Sequence, residues 1–321
     1  MRTGKQRWKR LAAMLTAACL TGAAAFPAAA AESAMDVICA PSGIVSLEDG
    51  SFLVTDTYNK VVWKVSGRTS TLYAGNGGVQ DLYGEPSGGY NDGALNEGFF
   101  REPWAIAPFL DGYAVTDTEN NVVRLIRCGD NKIQTATGTI QGGSADGYGL
   151  DAAFSRPTGL AADGEGNLYI ADTGNNAIRR LTPTGTITTY AAGLSEPTGL
   201  CWKDGVLYVA ESGANRILTI TDGAVSVLAG SGAAGMADGD AMQAQLSNPQ
   251  GVTAAPDGTV YVADTGNSAV RRIAGGTVTT LAAADQPGME AFPVEPRGLM
   301  VRDGDLYVCD HFLKKIWIIP R

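Results

Sequence analysis

The stretch "ADTGNNAIRR", residues 171–180, reads as the end of one strand, a tight turn and the start of the next strand. Nearly the same turn phrase recurs as "TDTYNKVVWK" from residue 55, "TDTENNVVRL" from 116 and "ADTGNSAVRR" from 263. Weaker copies begin at residues 210 ("AESGANRILT") and 309 ("CDHFLKKIWI"). A phrase written six times in one chain predicts six copies of one structural unit.

Each copy of the turn phrase has the same flanks. Upstream stands a Pro-x-Gly start, in which only Ala105 replaces the Gly, and then an apolar run that mostly ends in Asp-Gly. Asp-Gly between apolar runs is a strong hairpin signal, because Gly accepts positive φ. Four antiparallel strands per unit, in units of about 40 or more residues, predict propeller blades. The blades start near residues Pro41, Pro103, Pro157, Pro197, Pro249 and Pro296.

The recurrence resembles the NHL repeat family, through the Pro-x-Gly start, "LYIADTGNNAIRRL" at 168–181 and the trailing "TITTYAAG". The resemblance runs from Pro41 to Arg321 and implies an all-β, six-bladed β-propeller of a secreted bacterial NHL protein. Blades four and six depart from the pattern: Glu211 replaces the Asp in blade four, and Ala214 and Leu313 replace the first Asn of the turn in blades four and six. The last copy stops after its third strand, so we predict that residues 33–40 supply the fourth strand and close the ring.

The first 31 residues differ from the rest of the chain. They carry five basic residues, an Ala-rich apolar run and a small-residue site that ends at Ala31. This order is typical of a secretory signal peptide, so we predict a mature propeller of residues 32–321. It would be secreted or associated with the cell envelope, with no membrane insertion of the mature domain. A lipoprotein-type site at Cys19 and an uncleaved anchor are the alternatives.

Charge narrows the classes of partner. Without residues 1–31 the chain has 19 basic and 33 acidic residues, a net charge of −14. This average field repels a phosphate backbone, which argues against nucleic acid as a partner. Neutral, polar or cationic partners, such as a protein, a peptide or a glycan, are favoured instead.

One acidic residue occupies the same position in all six turn phrases. A metal site is one interpretation of such a ring, but a site needs asymmetry, and six equivalent copies indicate a requirement of the fold. Asp and Asn in a turn can accept from or donate to the backbone groups of that turn. We therefore interpret these acids as structural and predict no metal and no cofactor.

Three links between blades are longer than the repeat requires, at 76–102, 139–156 and 231–248. Each has Asp-Gly eleven residues before the Pro, and an apolar residue three before it, which predicts a turn, a helical turn and a buried plug. The spacing of a known calcium loop is absent. We predict that these links form a binding rim at the channel mouth, although covering the blade edges is an alternative role. The candidate rim residues are Tyr90, Asp92, Asp146, Tyr148, Asp238 and His311.

His311 is the single histidine of the chain and replaces the Thr or Ser of the other turns. A three-His zinc site is therefore impossible, and a Ser-His-Asp triad would have this one candidate base. His311 is either a surface residue or a functional deviation from the repeat.

The five cysteines occupy different kinds of position relative to the repeat. Cys19 belongs to the predicted signal peptide, and Cys201 and Cys309 fill small packing slots. The remaining positions are too far apart in the predicted fold for a bridge, so we predict four free thiols, at Cys39, Cys128, Cys201 and Cys309.

These observations favour a secreted, non-catalytic binding or scaffold module that recognises a ligand or partner at its loop-rich channel-mouth face and is a monomer. The alternative is a divalent-metal-dependent hydrolase or lyase of the lactonase-like propeller type, since a site built from Glu, Asn and Asp is compatible with the composition.

Overall fold

The structure is a computed structural model and describes residues 37–283 and 293–320. Blade 1 contains β1 (Pro41–Ser46), β2 (Phe52–Asp56), β3 (Val61–Ser66) and β4 (Thr69–Ala74). Blade 2 contains β5 (Gly93–Ala94), β6 (Pro103–Phe109), β7 (Gly112–Asp117), β8 (Val122–Arg127) and β9 (Lys132–Gly138). Blade 3 contains β10 (Gly147–Tyr148), β11 (Pro157–Ala162), β12 (Leu168–Asp172), β13 (Ala177–Leu181) and β14 (Thr186–Ala192).

The second half of the chain repeats this order. Blade 4 contains β15 (Pro197–Lys203), β16 (Val206–Glu211), β17 (Arg216–Thr221) and β18 (Ala224–Ala229). Blade 5 contains β19 (Gly239–Asp240), β20 (Pro249–Ala254), β21 (Val260–Asp264), β22 (Ala269–Ala274) and β23 (Thr277–Ala283). Blade 6 contains β24 (Pro296–Arg302), β25 (Asp305–Asp310) and β26 (Lys315–Pro320). One-turn 3-10 helices lie at Thr118–Asn120, Gly149–Asp151, Thr173–Asn175, Ser212–Ala214 and Thr265–Asn267.

The strands form six antiparallel sheets, one per blade. The first full-length strands of neighbouring blades contact one another in the order β1, β6, β11, β15, β20, β24 and back to β1. This closed circle surrounds a central channel and confirms the predicted all-β, six-bladed propeller. Within residues 37–283 and 293–320, no helix has the length and apolar character needed to cross a membrane.

The core is divided among the interfaces between neighbouring blades. Each of the six interfaces has its own apolar cluster, and the cluster between blades 6 and 1 joins Ile38, Ile44 and Val54 to Cys309. The residue three before the Pro plugs these clusters, as predicted: Phe100, Phe154 and Leu246 are fully buried.

The Gly of the Pro-x-Gly start is required by the close approach of the first strands. A Cβ added at Gly251 would lie 1.9 Å from the carbonyl oxygen of Arg297 in the next blade, and one at Gly298 would lie 2.3 Å from that of Ser42. No carbon can occupy these positions without displacing the neighbouring strand. The Gly therefore sets the spacing of the ring at the channel.

The three long links add a fifth, two-residue strand to the outer edge of a blade. β5 pairs with β9, β10 with β14, and β19 with β23. Each of these links thus starts at the outermost full-length strand of one blade, runs along the outer edge of the next blade (2, 3 or 5), and then reaches the first strand of that blade at the channel.

The predicted closing segment is described in part. Residues 37–40 form no strand, and the N–H groups of Cys39 and Ala40 donate to Asp56 of blade 1. Residues 33–36, like the predicted signal peptide, lie outside the described residues. In the part of the chain that the structure describes, the sheet of blade 6 has three strands.

The prediction of four free thiols is wrong at one position. Cys39, Cys201 and Cys309 are free, whereas Cys128 is disulfide-bonded. The spacing argument considered the distances among Cys39, Cys128, Cys201 and Cys309 alone.

Candidate functional site: the channel mouth

The acid of each turn phrase is buried and binds backbone. These acids, each at most 1% exposed, are Asp56, Asp117, Asp172, Glu211, Asp264 and Asp310. Each carboxylate accepts hydrogen bonds from N–H groups 15 to 17 residues upstream, in the link that enters the same blade. Bonds from N–H groups within the turn itself are fewer, at Asn59 and Leu313. The acids are therefore structural, as predicted, but they fasten a neighbouring link more than their own turn.

Blades 2, 3 and 5 place a buried arginine seven residues after this acid. The three side chains, at most 1% exposed, are Arg124, Arg179 and Arg271. In blade 3, Nη1 of Arg179 donates to Asp172 at 2.8 Å, and Nη2 donates to Asp146 at 2.6 Å. The two nitrogens also donate to the carbonyl oxygens of Ala153 and Ala145. One guanidinium thus bridges the turn acid and the Asp of the long link.

The Asp of the long link is further held by the fourth strand of its blade. Asp146 accepts from the N–H and the hydroxyl of Thr189, at 3.0 and 3.1 Å. Asp92 and Asp238 repeat these bonds in blades 2 and 5. We call this unit of turn acid, arginine, link aspartate and threonine the arginine clamp.

The arginine clamp changes the interpretation of the predicted rim. Asp92, Asp146 and Asp238 lie at the outer edges of three separate blades, and the structure does not bring them together. Tyr90 accepts a hydrogen bond from Thr135 and lies under the Arg124 guanidinium, 5.3 Å from its ring centroid. Tyr148, in β10, is 65% exposed on the edge of blade 3. These residues fasten or flank the links, so the edge-covering role is the one that their contacts support.

The clamp also sets the ionisation of its outer aspartates. Partial burial opposes the ionisation of the link aspartates, but their hydrogen bonds outweigh it. Bonds from Thr189 and Arg179 lower the pKa of Asp146. Bonds from Thr280 and Arg271 lower the pKa of Asp238 in the same way. These aspartates therefore keep their charge, and their pairing with arginine, at neutral pH.

The channel mouth is built from the middle residue of each Pro-x-Gly start. It lies on the turn face, which is the face that carries the six turn phrases. The six residues in ring order are Ser42, Trp104, Thr158, Thr198, Gln250 and Arg297. The small side chains of blades 1, 3 and 4 are buried, whereas Trp104, Gln250 and Arg297 are larger and partly exposed. The mouth is thus the asymmetric part of an otherwise repeated ring.

Blades 6 and 2 meet over the mouth through a cation–π contact. The Arg297 guanidinium lies 4.4 Å from the ring centroid of Trp104, and its Nη2 donates to Glu295 at 2.6 Å. Because blade 1 stands between these blades, Arg297 reaches past Ser42 to make this contact. Burial lowers the pKa of Arg297, although its hydrogen bond to Glu295 acts to raise it. Burial also raises the pKa of the nearby Glu102 carboxyl. The mouth therefore combines an aromatic face, a guanidinium, an amide and carboxylates.

His311 is the one predicted rim residue that lies at the mouth. Its Nδ1 is 3.3 Å from the Ser42 hydroxyl, between the last and first blades. Blades 2 to 5 have a Thr or Ser at the position of the turn phrase that His311 occupies in blade 6. The hydroxyl of each donates to the carbonyl oxygen of the first Pro of the next blade. Burial, and after it the positive charge of Arg297, lower the pKa of His311 to about 4. The carboxylates of Glu295, Asp56 and Asp310 act in the opposite direction but are outweighed. The imidazole is therefore neutral at physiological pH.

Sequence reasoning missed Trp104, Gln250 and Arg297. The available signal was the variable residue of the Pro-x-Gly start, the only slot of that motif whose side chain changes in size and chemistry around the ring. Among residues 37–283 and 293–320, no group of three or more His, Cys, Asp or Glu side chains is arranged to hold a metal ion.

Comparison with known proteins agrees with the repeat. The model of the NHL repeat matches residues 154–181 and 246–273, which cover the first three full-length strands of blades 3 and 5. Two of the six blades therefore match the NHL repeat model. NHL repeat-containing protein 2 of Homo sapiens is 28% identical over 312 residues, which cover 78% of this chain and 42% of that protein. Protein SUPPRESSOR OF QUENCHING 1, chloroplastic, of Arabidopsis thaliana is 29% identical over 216 residues, 54% of this chain and 20% of that protein. The chain spans less than half the length of these relatives.

Solved structures with the same fold include binding proteins and lyases. An auxiliary nutrient binding protein from Bacteroides thetaiotaomicron superposes with a TM-score of 0.65 at 13% identity, over 87% of this chain and 68% of that one. Virginiamycin B lyase from Staphylococcus aureus superposes with a TM-score of 0.58 at 16% identity, over 89% and 97%. At these identities the likeness shows the fold alone.

The clamp predicts unequal costs for its two ends. Arg271→Ala leaves Asp264 buried without its cation, so we expect a loss of about 3–5 kcal/mol in the free energy of unfolding. Asp238→Asn changes a half-exposed end and should cost about 1 kcal/mol or less. Urea denaturation of both variants measures the difference. An Asp238→Asn variant that loses as much as Arg271→Ala would contradict the clamp.

The neutral His311 predicts a pH-dependent stability. Between pH 6.5 and about 4, the unfolded chain binds a proton on this residue that the folded chain does not, so stability falls as the pH falls. His311→Thr, which restores the hydroxyl of the other blades, removes this contribution. Urea denaturation of both proteins should give a constant difference above pH 7, which shifts in favour of the variant as the pH falls to 4.5. A difference that stays constant over the whole range would show that His311 titrates normally.

Proposed function

We propose that the chain is an exported, non-catalytic binding module that takes its ligand at the channel mouth on the turn face. The asymmetry of the mouth carries this proposal. Three of its six positions hold Trp104, Gln250 and Arg297, while the surrounding scaffold repeats the same turn and the same glycine. A scaffold alone gives no reason for three large, different side chains at equivalent positions of a ring.

The chemistry of the mouth favours a polar, flat or extended ligand. Trp104 offers a large apolar surface, and Gln250 and Arg297 offer hydrogen-bonding groups with defined directions. Glu102 and Glu295 add carboxylates beside them. A peptide or a glycan supplies apolar faces and hydroxyl or amide groups in this combination, whereas a net charge of −14 without residues 1–31 disfavours nucleic acid. The auxiliary nutrient binding protein described above is a binding protein with this fold. It supports a binding function for this chain and does not indicate which ligand is bound.

Export rests on the first 31 residues. Their basic, apolar and small-residue order supports a secreted or envelope-associated protein that starts near Glu32, and lipidation at Cys19 is the competing outcome. The intact mass of the exported protein distinguishes the two.

The competing function is a divalent-metal hydrolase or lyase of the lactonase-like propeller type. The lyases that share the fold favour it at the level of architecture alone. At the mouth, His311, Glu295 and Glu102 are the side chains from which such a site would have to be assembled. The cation–π contact and the ion pair of Arg297 occupy the same space, which supports the binding function instead.

The test is a screen of the purified protein against a peptide library and a glycan array, followed by calorimetry with each hit. Trp104→Ala and Gln250→Ala should each weaken binding at least tenfold, because they remove the aromatic face and the amide. Tyr148→Ala, at an exposed outer edge, is the matched control and should bind as the wild type does, and circular dichroism melting verifies that all three fold.

Two results would contradict this assignment. Hits that bind the two mouth variants with unchanged affinity would place the site elsewhere. Turnover of a hit that requires an added divalent ion would favour the enzyme.

A further inference from the structure

The largest exposed apolar side chains of the turn face stand on either side of blade 1. On one side is a short hairpin, residues 79–87, in the link to blade 2. Its tip carries Leu82 and Tyr83, which are 100% and 90% exposed. On the other side is the turn of blade 6, where Phe312 is 65% exposed. Side chains of this size are rarely left in water in this way unless another surface covers them.

The hairpin is held in one conformation by its own hydrogen bonds. The Asp81 carboxylate accepts from the N–H groups of Tyr83 and Glu85, at 2.7 and 3.1 Å. The backbone N–H of Asp81 donates to Glu85, and that of Gly84 donates to Asp81. The Tyr58 hydroxyl donates to the Glu85 carboxylate, which fastens the hairpin to the turn of blade 1. An ordered tip loses little conformational entropy on docking.

The two exposed patches carry opposite charge. The hairpin, residues 79–87, has two acidic residues, Asp81 and Glu85, and no basic residue. Beside Phe312, the turn of blade 6 has Lys314 and Lys315, both exposed. We call the first patch the acidic hairpin (79–87) and the second the basic turn (Phe312, Lys314 and Lys315). Each pairs an apolar anchor with charges that match the other patch.

We infer that the turn face binds a second copy of this chain, with the acidic hairpin of each copy docked on the basic turn of the other. Both patches lie on one face with blade 1 between them, so a two-fold axis over blade 1 makes both contacts at once. Tyr58, 45% exposed on blade 1, lies near this axis. The sequence led us to expect a monomer, whereas this arrangement is a weak dimer. It is separate from the proposed ligand site, although the second copy would shield the channel mouth.

The first test is the oligomeric state of the wild-type protein. Sedimentation velocity from about 1 to 300 µM should show a reversible monomer–dimer equilibrium. Because charged pairs at an interface are screened by salt, raising NaCl from 0.05 to 0.5 M should weaken the dimer several-fold. A monomer at every concentration would overturn the inference, and so would a dimer that salt does not weaken.

Variants then identify the contacts. The double variant Leu82→Ser and Tyr83→Ser, and the single variant Phe312→Ser, should each weaken the dimer at least tenfold. Val225→Ser, at a 43% exposed apolar position of blade 4, is the matched control and should dimerise as the wild type does. Loss of dimer in the control, or none in the variants, would contradict the assignment.

A mixing experiment separates hairpin-to-turn pairing from hairpin-to-hairpin pairing. The hairpin variant keeps an intact basic turn, and the Phe312→Ser variant keeps an intact acidic hairpin. An equimolar mixture of the two regains one native contact, so it should associate more strongly than either variant alone. If mixing gives no gain, the pairing proposed here is wrong. None of these measurements uses a ligand, so their outcome is independent of the proposed function.

Discussion

A buried carboxylate at the end of the second strand of each blade is the interaction on which the rest of this structure depends. It is taken out of water completely, which is costly for an ion unless hydrogen-bond donors surround it. The donors are the N–H groups of the incoming link, a side chain of the third strand and, in five of the six blades, an Asn side chain or backbone N–H of the turn. The turn of each blade therefore forms together with the link that enters that blade. The link is thereby held where it leads into the first strand of the blade.

The donor on the third strand explains which blades carry extra edges. Seven residues after the acid, blades 1 and 6 have Trp63 and Trp317, whose indole N–H groups donate to Asp56 and Asp310 at 3.0 Å. Blades 2, 3 and 5 have arginine there, and these are the blades with long links. An indole satisfies one carboxylate, whereas a guanidinium has donors left for a second one. The long links supply that second carboxylate. Their aspartates are thus the counter-charges of buried cations rather than free ligand-binding groups.

The sequence predicts the ring because the ring is a local pattern repeated six times. Asp-Gly turns, the glycine of the first strand and the turn phrase all act within about 20 residues of one another. The rim prediction was made from the same local pattern and did not include the clamp contacts, because the partner of Asp146 is Arg179, 33 residues later. Trp104 and Arg297 are further apart still and meet only when blades 6 and 2 flank blade 1.

The same contrast separates scaffold from function in this chain. Where all six blades agree, as at the turn acid, the residue holds the ring; where they differ at one slot, as at the mouth, the fold leaves the residue free to serve binding. The proposed ligand site and the proposed self-association surface both lie on the turn face, where the repeat is least regular in size and charge.

Amide hydrogen exchange of the folded protein tests the role of the buried carboxylates most directly. The N–H groups of Ser155 and Ser247 donate to Asp172 and Asp264 at 2.7 Å, although both residues lie in links rather than strands. We predict that these two amides exchange as slowly as those of strands β12 and β21 in their own blades. They should exchange at least 1,000-fold more slowly than the amide of the exposed link residue Met236, since on the order of 4 kcal/mol of opening free energy corresponds to that factor. Exchange of Ser155 and Ser247 at the rate of Met236 would contradict the proposed role of the carboxylates.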